Sequence, residues 1–226
     1  MTNFRSESKV TLVDSHNASD LDVVRSARVS FGNEDTDISE DRVEGLINFL
    51  YRNRHMSPFE HSVFTFMVET PIFVAREFMR TRSASYNEIS ARYTNWEFEF
   101  YTPPGDRPLI QQGKPGQYYF VEGTPGQNRW VTEAAKEVYA LAESKYNEML
   151  EAGVAKEVAR NVLPVGLFTR FYVTMNARNL MHFLELRTHS TALWEIREVA
   201  EQIETEFAEA MPLTYIAYKE GSEDGQ

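Results

Sequence analysis

The sequence predicts an α+β fold in one domain, a twisted, antiparallel-rich sheet flanked by helices. Val63 to Glu69 and Leu167 to Met175 are dense in β-branched and aromatic side chains, which suit a pleated, half-buried surface. Several other stretches repeat apolar residues at three- and four-residue spacing, the period of helices with one face inward. Between residues 102 and 127 lie five of the nine prolines and five of the eleven glycines, which reads as one long loop.

The elements follow in order. Leu12 to Phe31 and Ser39 to Arg54 read as a short strand and two helices, the second N-capped by Ser39 and carrying Val43, Leu46, Ile47 and Leu50 on one face. Ser57-Pro58-Phe59-Glu60 has the form of a capping box with proline at the first helical position, so a short helical turn is expected there. Val63 to Glu69 follows as a mostly buried strand. Pro71 then opens a helix to about Thr81, leaving Arg82 to Tyr93 as a loop. Beyond the long loop, Trp130, Ala134, Val138, Leu141, Ala142, Tyr146 and Met149 recur at helical spacing up to Gly153, the expected stop. A helix stopping at Pro164, the strand Leu167 to Met175, and helices over about 176–187 and 192–211 complete the chain. The last helix carries Ile196, Val199, Ile203 and Phe207 as its core stripe, and residues 218–226 form a frayed tail.

At 226 residues and 42% hydrophobic, the chain can bury a core of its own. Its apolar runs are too short for a membrane span, and no apolar stretch of the signal-peptide kind follows the first residues. No cysteine is present, so the sequence offers no disulfide, no thiolate metal site and no cysteine nucleophile, in keeping with a reducing cytoplasm. It also has no His-Glu-x-x-His and no glycine-rich phosphate loop, so metal dependence is not expected.

Charge gives the sharpest functional hint. From Arg76 to Arg92 four arginines face two acids, a local +2 in a chain of net charge -11. A nucleic-acid partner would need a broad basic face, whereas a confined positive patch suits a small phosphorylated ligand. The chain has 17 Arg against 6 Lys, and arginine is the residue whose planar fork grips phosphate bidentately. The plainer alternative is a surface helix end: Arg76 and Arg80 are four apart, share a face and gain from the helix macrodipole as C-terminal cations. Spacing alone likewise leaves His55, His61, His182 and His189 as packed or surface residues.

The same stretch resembles the flavin-dependent thymidylate synthase family. That family's signature is Arg-His-Arg, seven residues, then Ser; here it stands as Arg80-Thr81-Arg82, seven residues, Ser90. Similarity continues through Arg54-His55-Met56-Ser57-Pro58-Phe59-Glu60-His61, Pro71 to Arg76, Asn176-Ala177-Arg178 and Leu186-Arg187, covering most of residues 10 to 215. The resemblance implies a homotetramer with active sites shared between subunits. It implies reductive methylation of dUMP to dTMP, with methylenetetrahydrofolate as one-carbon donor, NADPH as reductant and FAD as bound cofactor. No nucleic-acid or membrane partner is implied.

Carried over position by position, the dUMP-binding residues are Arg80, Glu88, Ser90, Arg92, Arg160 and Arg187. The FAD positions fall on His55, Ser57, Glu60, Thr81, Arg82, Ser83, Asn176, Arg178 and His182. Arg187 and His55 take the catalytic roles, Arg187 because a guanidinium at the pyrimidine carbonyl edge stabilises charge that a thiolate-free mechanism must develop there. From spacing, Asn176 is equally a helix N-cap, and Arg160 a solvated residue late in a helix. Three positions depart from the family pattern. Thr81 replaces the signature histidine, Glu77 stands where a substrate-binding glutamine is common, and Thr191 replaces a flavin-proximal histidine, with His189 two residues away. Two other readings therefore stay open: a diverged enzyme that transfers hydroxymethyl to a pyrimidine nucleotide, and a non-catalytic FAD- and nucleotide-binding protein.

Overall fold

The computed structural model describes residues 2–32, 38–93 and 97–223. In chain order these form β1 (Asn3–Arg5), β2 (Lys9–His16), α1 (Asp20–Arg28), α2 (Glu40–Arg52), β3 (Val63–Pro71), α3 (Ile72–Phe78), β4 (Ser85–Glu88) and β5 (Glu99–Tyr101). There follow β6 (Ile110–Lys114), β7 (Gln117–Val121), α4 (Pro125–Glu151), α5 (Lys156–Ala159), β8 (Phe168–Asn176), α6 (Ala177–Arg187), α7 (Trp194–Ala210) and α8 (Pro212–Glu223). Short 3-10 turns stand at Val29–Phe31, Ser57–His61 and Arg160–Val162. The mixture of helix and sheet is the predicted one, and its main sheet has four strands in the order β2-β3-β8-β4.

The chain forms two compact units, each assembled from separated segments. The first comprises Met1–Lys9, Glu69–Arg80 and Glu88–Phe171. Its core is Phe98, Phe100, Tyr146, Ala159 and Leu167, with Phe4, Ile72, Tyr139, Met149 and Leu150 packed around it. β1 and β5 pair in parallel beside this core, with Phe4 opposite Phe100. The second unit comprises Val10–Val68, Thr81–Asn87 and Tyr172–Gln226. Here α2 packs on α8 and α6 on α7. Phe64, Phe66, Leu180, Leu184, Ile196, Val199, Ile203 and Phe207 are fully buried in it, so the apolar stripe expected along the last long helix does face inward.

Much of the local reading holds, with physical reasons where it does not. β3 is the mostly buried strand expected: five of its nine positions are buried and none is exposed, with Phe64, Phe66 and Val68 inward. Ser57 lies inside its 3-10 turn and makes no capping bond; Met56 occupies the cap position. α3 ends at Phe78, three residues short of Thr81. Within the expected signature loop stands β4, an edge strand beside β8. Its four residues carry one aromatic and no β-branched side chain, so pairing with a neighbour decides it.

The long loop at 102–127 contains an antiparallel hairpin, Ile110 opposite Val121 through Lys114 opposite Gln117. Gly113 and Gly116 adopt φ of +95° and +84°, and a Cβ on Gly113 would lie 2.3 Å from the Gln117 carbonyl oxygen, so the glycines read as loop breakers are what let the strands turn. Arg160 is exposed at the end of α5, as its C-cap, and opens the 3-10 turn, so the helix expected to stop at Pro164 is two short pieces ending at Val162. The predicted tail is helical through Glu223, with Tyr218 buried; residues 224–226 lie outside the described residues. Finally, α4 has two apolar faces. Tyr146 and Met149 of the expected series pack inward, joined by Tyr139 and Leu150, while Trp130 (70% exposed), Val138 and Leu141 of the same series face out.

Candidate active site

Five of the six residues assigned to the nucleotide belong to the first unit: Arg80, Glu88, Ser90, Arg92 and Arg160. Glu88, Ser90 and Arg92 are held in one continuous stretch. The Thr169 hydroxyl donates to the Glu88 carboxylate at 2.6 Å, and the Ile89 N–H donates to the Arg170 carbonyl at 2.9 Å. Past this anchor the chain turns tightly: Ser90 accepts the Arg92 N–H on its hydroxyl oxygen at 3.3 Å and the Tyr93 N–H on its carbonyl at 3.1 Å. The Arg92 guanidinium lies over the Tyr93 ring, 4.8 Å from its centroid. Arg80, Arg92 and Arg160 are exposed, and among the described residues none of them makes an ion pair. Three guanidiniums without internal counter-ions suit an anionic ligand.

A cavity of about 360 Å³ in this unit is lined by Asn3, Glu69, Ile89, Glu97, Glu99, Phe168, Thr169 and Arg170. None of the assigned residues lines it. Its carboxylates would repel a phosphate, and two are already engaged: Arg5 pairs with Glu69 at 3.1 Å and Glu99 at 3.4 Å, so the cavity is an ion-paired wall of the unit.

The second unit holds Arg187 and all nine residues assigned to FAD. Asn176 caps α6, its side-chain oxygen accepting the Asn179 N–H at 3.0 Å, so the N-cap reading of that residue is correct. The Asn179 carboxamide in turn donates to the Ser83 carbonyl at 3.0 Å. Arg178, in the first turn of α6, pairs with Glu60 of the Ser57–His61 turn, and the Ala177 N–H donates to the Ser62 carbonyl at 2.8 Å. The structure therefore links Glu60, Ser83, Asn176 and Arg178 through side-chain and backbone bonds. Arg82 is exposed, without an ion pair among the described residues. His182 lies farther along α6, exposed and 3.6 Å from Glu185.

His55 is placed by the end of α2. Arg54 has φ +56°, the His55 N–H donates to the Leu50 carbonyl at 2.9 Å, and the Arg54 N–H to that of Tyr51 at 3.0 Å, a Schellman closure with arginine where glycine is usual. Its ring is exposed and meets Phe49 edge-on at 5.7 Å. At the other end of α6, the Thr191 N–H donates to His189 Nδ1 at 3.2 Å, and their side chains lie 2.8 Å apart. Accepting a backbone N–H fixes the ring proton of neutral His189 on Nε2.

Two residues outside the assigned set bear on this unit. Tyr86 donates its hydroxyl to the Thr81 carbonyl at 2.8 Å. Burial pushes its phenol up to about 12, while a hydrogen bond with the Thr81 side chain and the Arg187 charge pull the other way, so it stays a neutral donor at neutral pH and sits within electrostatic reach of Arg187. Asn179 is the other. Its position three residues after an N-cap asparagine was legible in the sequence, but its reach to Ser83 was not.

The arginines and amide groups fit a dinucleotide flavin by their chemistry: Arg82 can bind a phosphate, Arg178 is held at the head of α6 by Glu60, and Asn176 lies at a helix N-terminus, where anions are favoured. Thr81 offers a hydroxyl but no ring to stack.

Comparison with known proteins extends these observations. The family model of the thymidylate synthase complementing proteins, Thy1, matches residues 11–213. A flavin-dependent thymidylate synthase of Streptomyces avermitilis is 51% identical over 227 aligned residues, covering 95% of this chain and 92% of the relative. Its counterpart in Tropheryma whipplei is 49% identical, with 96% and 94% covered. Crystal structures of a UMP/dUMP methylase, PolB from Streptomyces cacaoi, are 46% identical: bound with 5-Br UMP it gives a TM-score of 0.88 with 96% of each chain covered, and with 5-Br dUMP a TM-score of 0.89.

Proposed function

This chain belongs to the flavin-dependent thymidylate synthase family, and we propose that it methylates dUMP to dTMP reductively, with methylenetetrahydrofolate as one-carbon donor and NADPH as reductant, in the cytoplasm. The observation that carries this reading is identity near one half over almost the whole chain to enzymes of that name, with Arg80, Arg82, Ser90, Arg92, Arg160, Arg178 and Arg187 all present.

In this reading Arg80, Arg92 and Arg160 bind the nucleotide phosphate, while Glu88 and Ser90 hold its sugar from the turn that Thr169 anchors. Asn176, Arg178, Arg82, Ser83, His182, Thr81 and the Ser57–Glu60 turn hold FAD, with His55 beside it. When bound, FAD supplies the redox chemistry that no side chain here can supply. Arg187 faces the pyrimidine carbonyl edge and stabilises the negative charge that makes C5 reactive, the role a cysteine thiolate cannot play in a sequence without cysteine. Ser90 is unsuited as a nucleophile because its oxygen accepts the Arg92 N–H and no imidazole hydrogen-bonds to it among the described residues.

We also propose a homotetramer whose subunits complete each other's sites. The outward face of α4, with Trp130, Val138 and Leu141, supports this as an apolar surface of the kind that copies bury against one another. Light scattering that finds an active monomer would remove this part of the reading.

A second substrate is favoured by one finding: the structural neighbour is described as a UMP/dUMP methylase bound with analogues of both. Anaerobic assay of the purified chain with FAD, NADPH and methylenetetrahydrofolate, supplied in parallel with dUMP or UMP, tests both readings. Formation of dTMP supports the first, and ribothymidylate exceeding dTMP would favour the second. No methylated product from either nucleotide would overturn both.

A further inference from the structure

The segment between Thr81 and Ser85 has little packing to hold it: Arg82, Ser83 and Ser85 are exposed. Two side chains that no assignment includes grip it by its main chain. Tyr86 donates its hydroxyl to the Thr81 carbonyl at 2.8 Å, and Asn179 donates its carboxamide N–H to the Ser83 carbonyl at 3.0 Å. These carbonyls flank Arg82. The second anchor is itself fixed, because the Asn179 backbone N–H is bonded to the Asn176 cap at 3.0 Å.

We propose that Tyr86 and Asn179 are positioning residues for the flavin, clamping the Thr81 and Ser83 carbonyls so that Arg82 and Ser83 are held ready beside the α6 cap. This rests on the flavin reading given above. An exposed segment without such bonds would sample many conformations, and FAD would have to order it on binding; with them that ordering is already done. The clamp matters more here because Thr81 cannot stack on a ring system, which leaves the flavin to hydrogen bonds and charge. Tyr86 suits the task in another way: half-buried and neutral, it offers a donor that does not titrate in the working range.

The test is direct titration of FAD, followed by flavin fluorescence, with the purified chain and its Tyr86→Phe and Asn179→Ala variants. It is paired with hydrogen exchange over residues 81–86. Each variant removes one hydrogen bond and is expected to raise the FAD dissociation constant roughly 3- to 10-fold. Amides of the segment should exchange faster in both. The double variant should lose less than the product of the two, because either loss already frees the same turn. Asn179→Ala should leave dUMP affinity within about twofold, the split that a general loss of folding would not give. Because the two substitutions lie on different elements, failure of one to fold leaves the other to decide. If the unsubstituted chain binds FAD while both folded variants keep its constant within about twofold, the positioning role is overturned alone. An unsubstituted chain that binds no FAD overturns the flavin reading and this proposal with it.

Discussion

The Thr169 hydroxyl donates to a Glu88 carboxylate oxygen at 2.6 Å, tying the signature stretch to β8. Thr169 is buried whereas Glu88 is exposed, so the bond fixes the direction of a carboxylate that water could otherwise solvate in many rotamers. Thr169→Val keeps the shape and removes the donor. Stability should fall by about 1 kcal/mol, the usual net value of one hydrogen bond, while the dUMP dissociation constant rises several-fold. Calorimetric titration with dUMP alongside a denaturant curve checks both; unchanged dUMP binding would take Glu88 out of the nucleotide site.

On the proposed mechanism, Arg187→Ala should lower kcat by about two to three orders of magnitude, the loss of about 2.7 to 4 kcal/mol that removing one such charge-stabilising donor costs. Arg187 is only half-buried and ends its helix, so the fold should tolerate the change. Steady-state kinetics decide, and a loss under tenfold would assign Arg187 another role.

Asp20 predicts a purely structural defect. Its carboxylate accepts the N–H groups of Leu213 and Thr214 at 2.9 Å each and the Thr214 hydroxyl at 2.6 Å, so a residue of α1 caps the start of α8. Asp20→Ala leaves those donors unsatisfied and should cost about 2 to 3 kcal/mol, read from chemical denaturation, with activity per folded molecule retained. Loss of less than about 0.5 kcal/mol would mean that water replaces the cap.

Thr81→His returns a ring to the signature position. For a working thymidylate synthase, FAD affinity should rise or stay level and dTMP remain the product. A shift from hydroxymethyl-dUMP toward dTMP would identify the diverged enzyme. Absence of tritium release from C5-labelled dUMP in both proteins would identify a binding protein. Chromatography of the products with FAD supplied separates these outcomes.

The sequence by itself determined the elements whose signal is local. Asn176 caps α6, Gly153 closes α4 with φ +83°, and Ile196, Val199, Ile203 and Phe207 form a buried stripe, because capping groups, left-handed glycine and helical periodicity act within a few residues. Its arginine-rich signature likewise led to the family, since ordered motifs at set spacing survive without coordinates. Tertiary structure decided what depends on a distant partner. β4 exists through its neighbour β8, and the 102–127 segment folds into a hairpin through cross-strand bonds. Of two apolar faces on α4, packing against Phe98 and Phe100 selected the one with Tyr139 and Tyr146, which periodicity ranks no higher than the face with Trp130. The grips of Tyr86 on Thr81, Asn179 on Ser83 and Thr169 on Glu88 were equally hidden. A side chain's type states what it can donate or accept, but only the folded chain brings an acceptor 5, 96 or 81 residues away in sequence to within 3.0 Å.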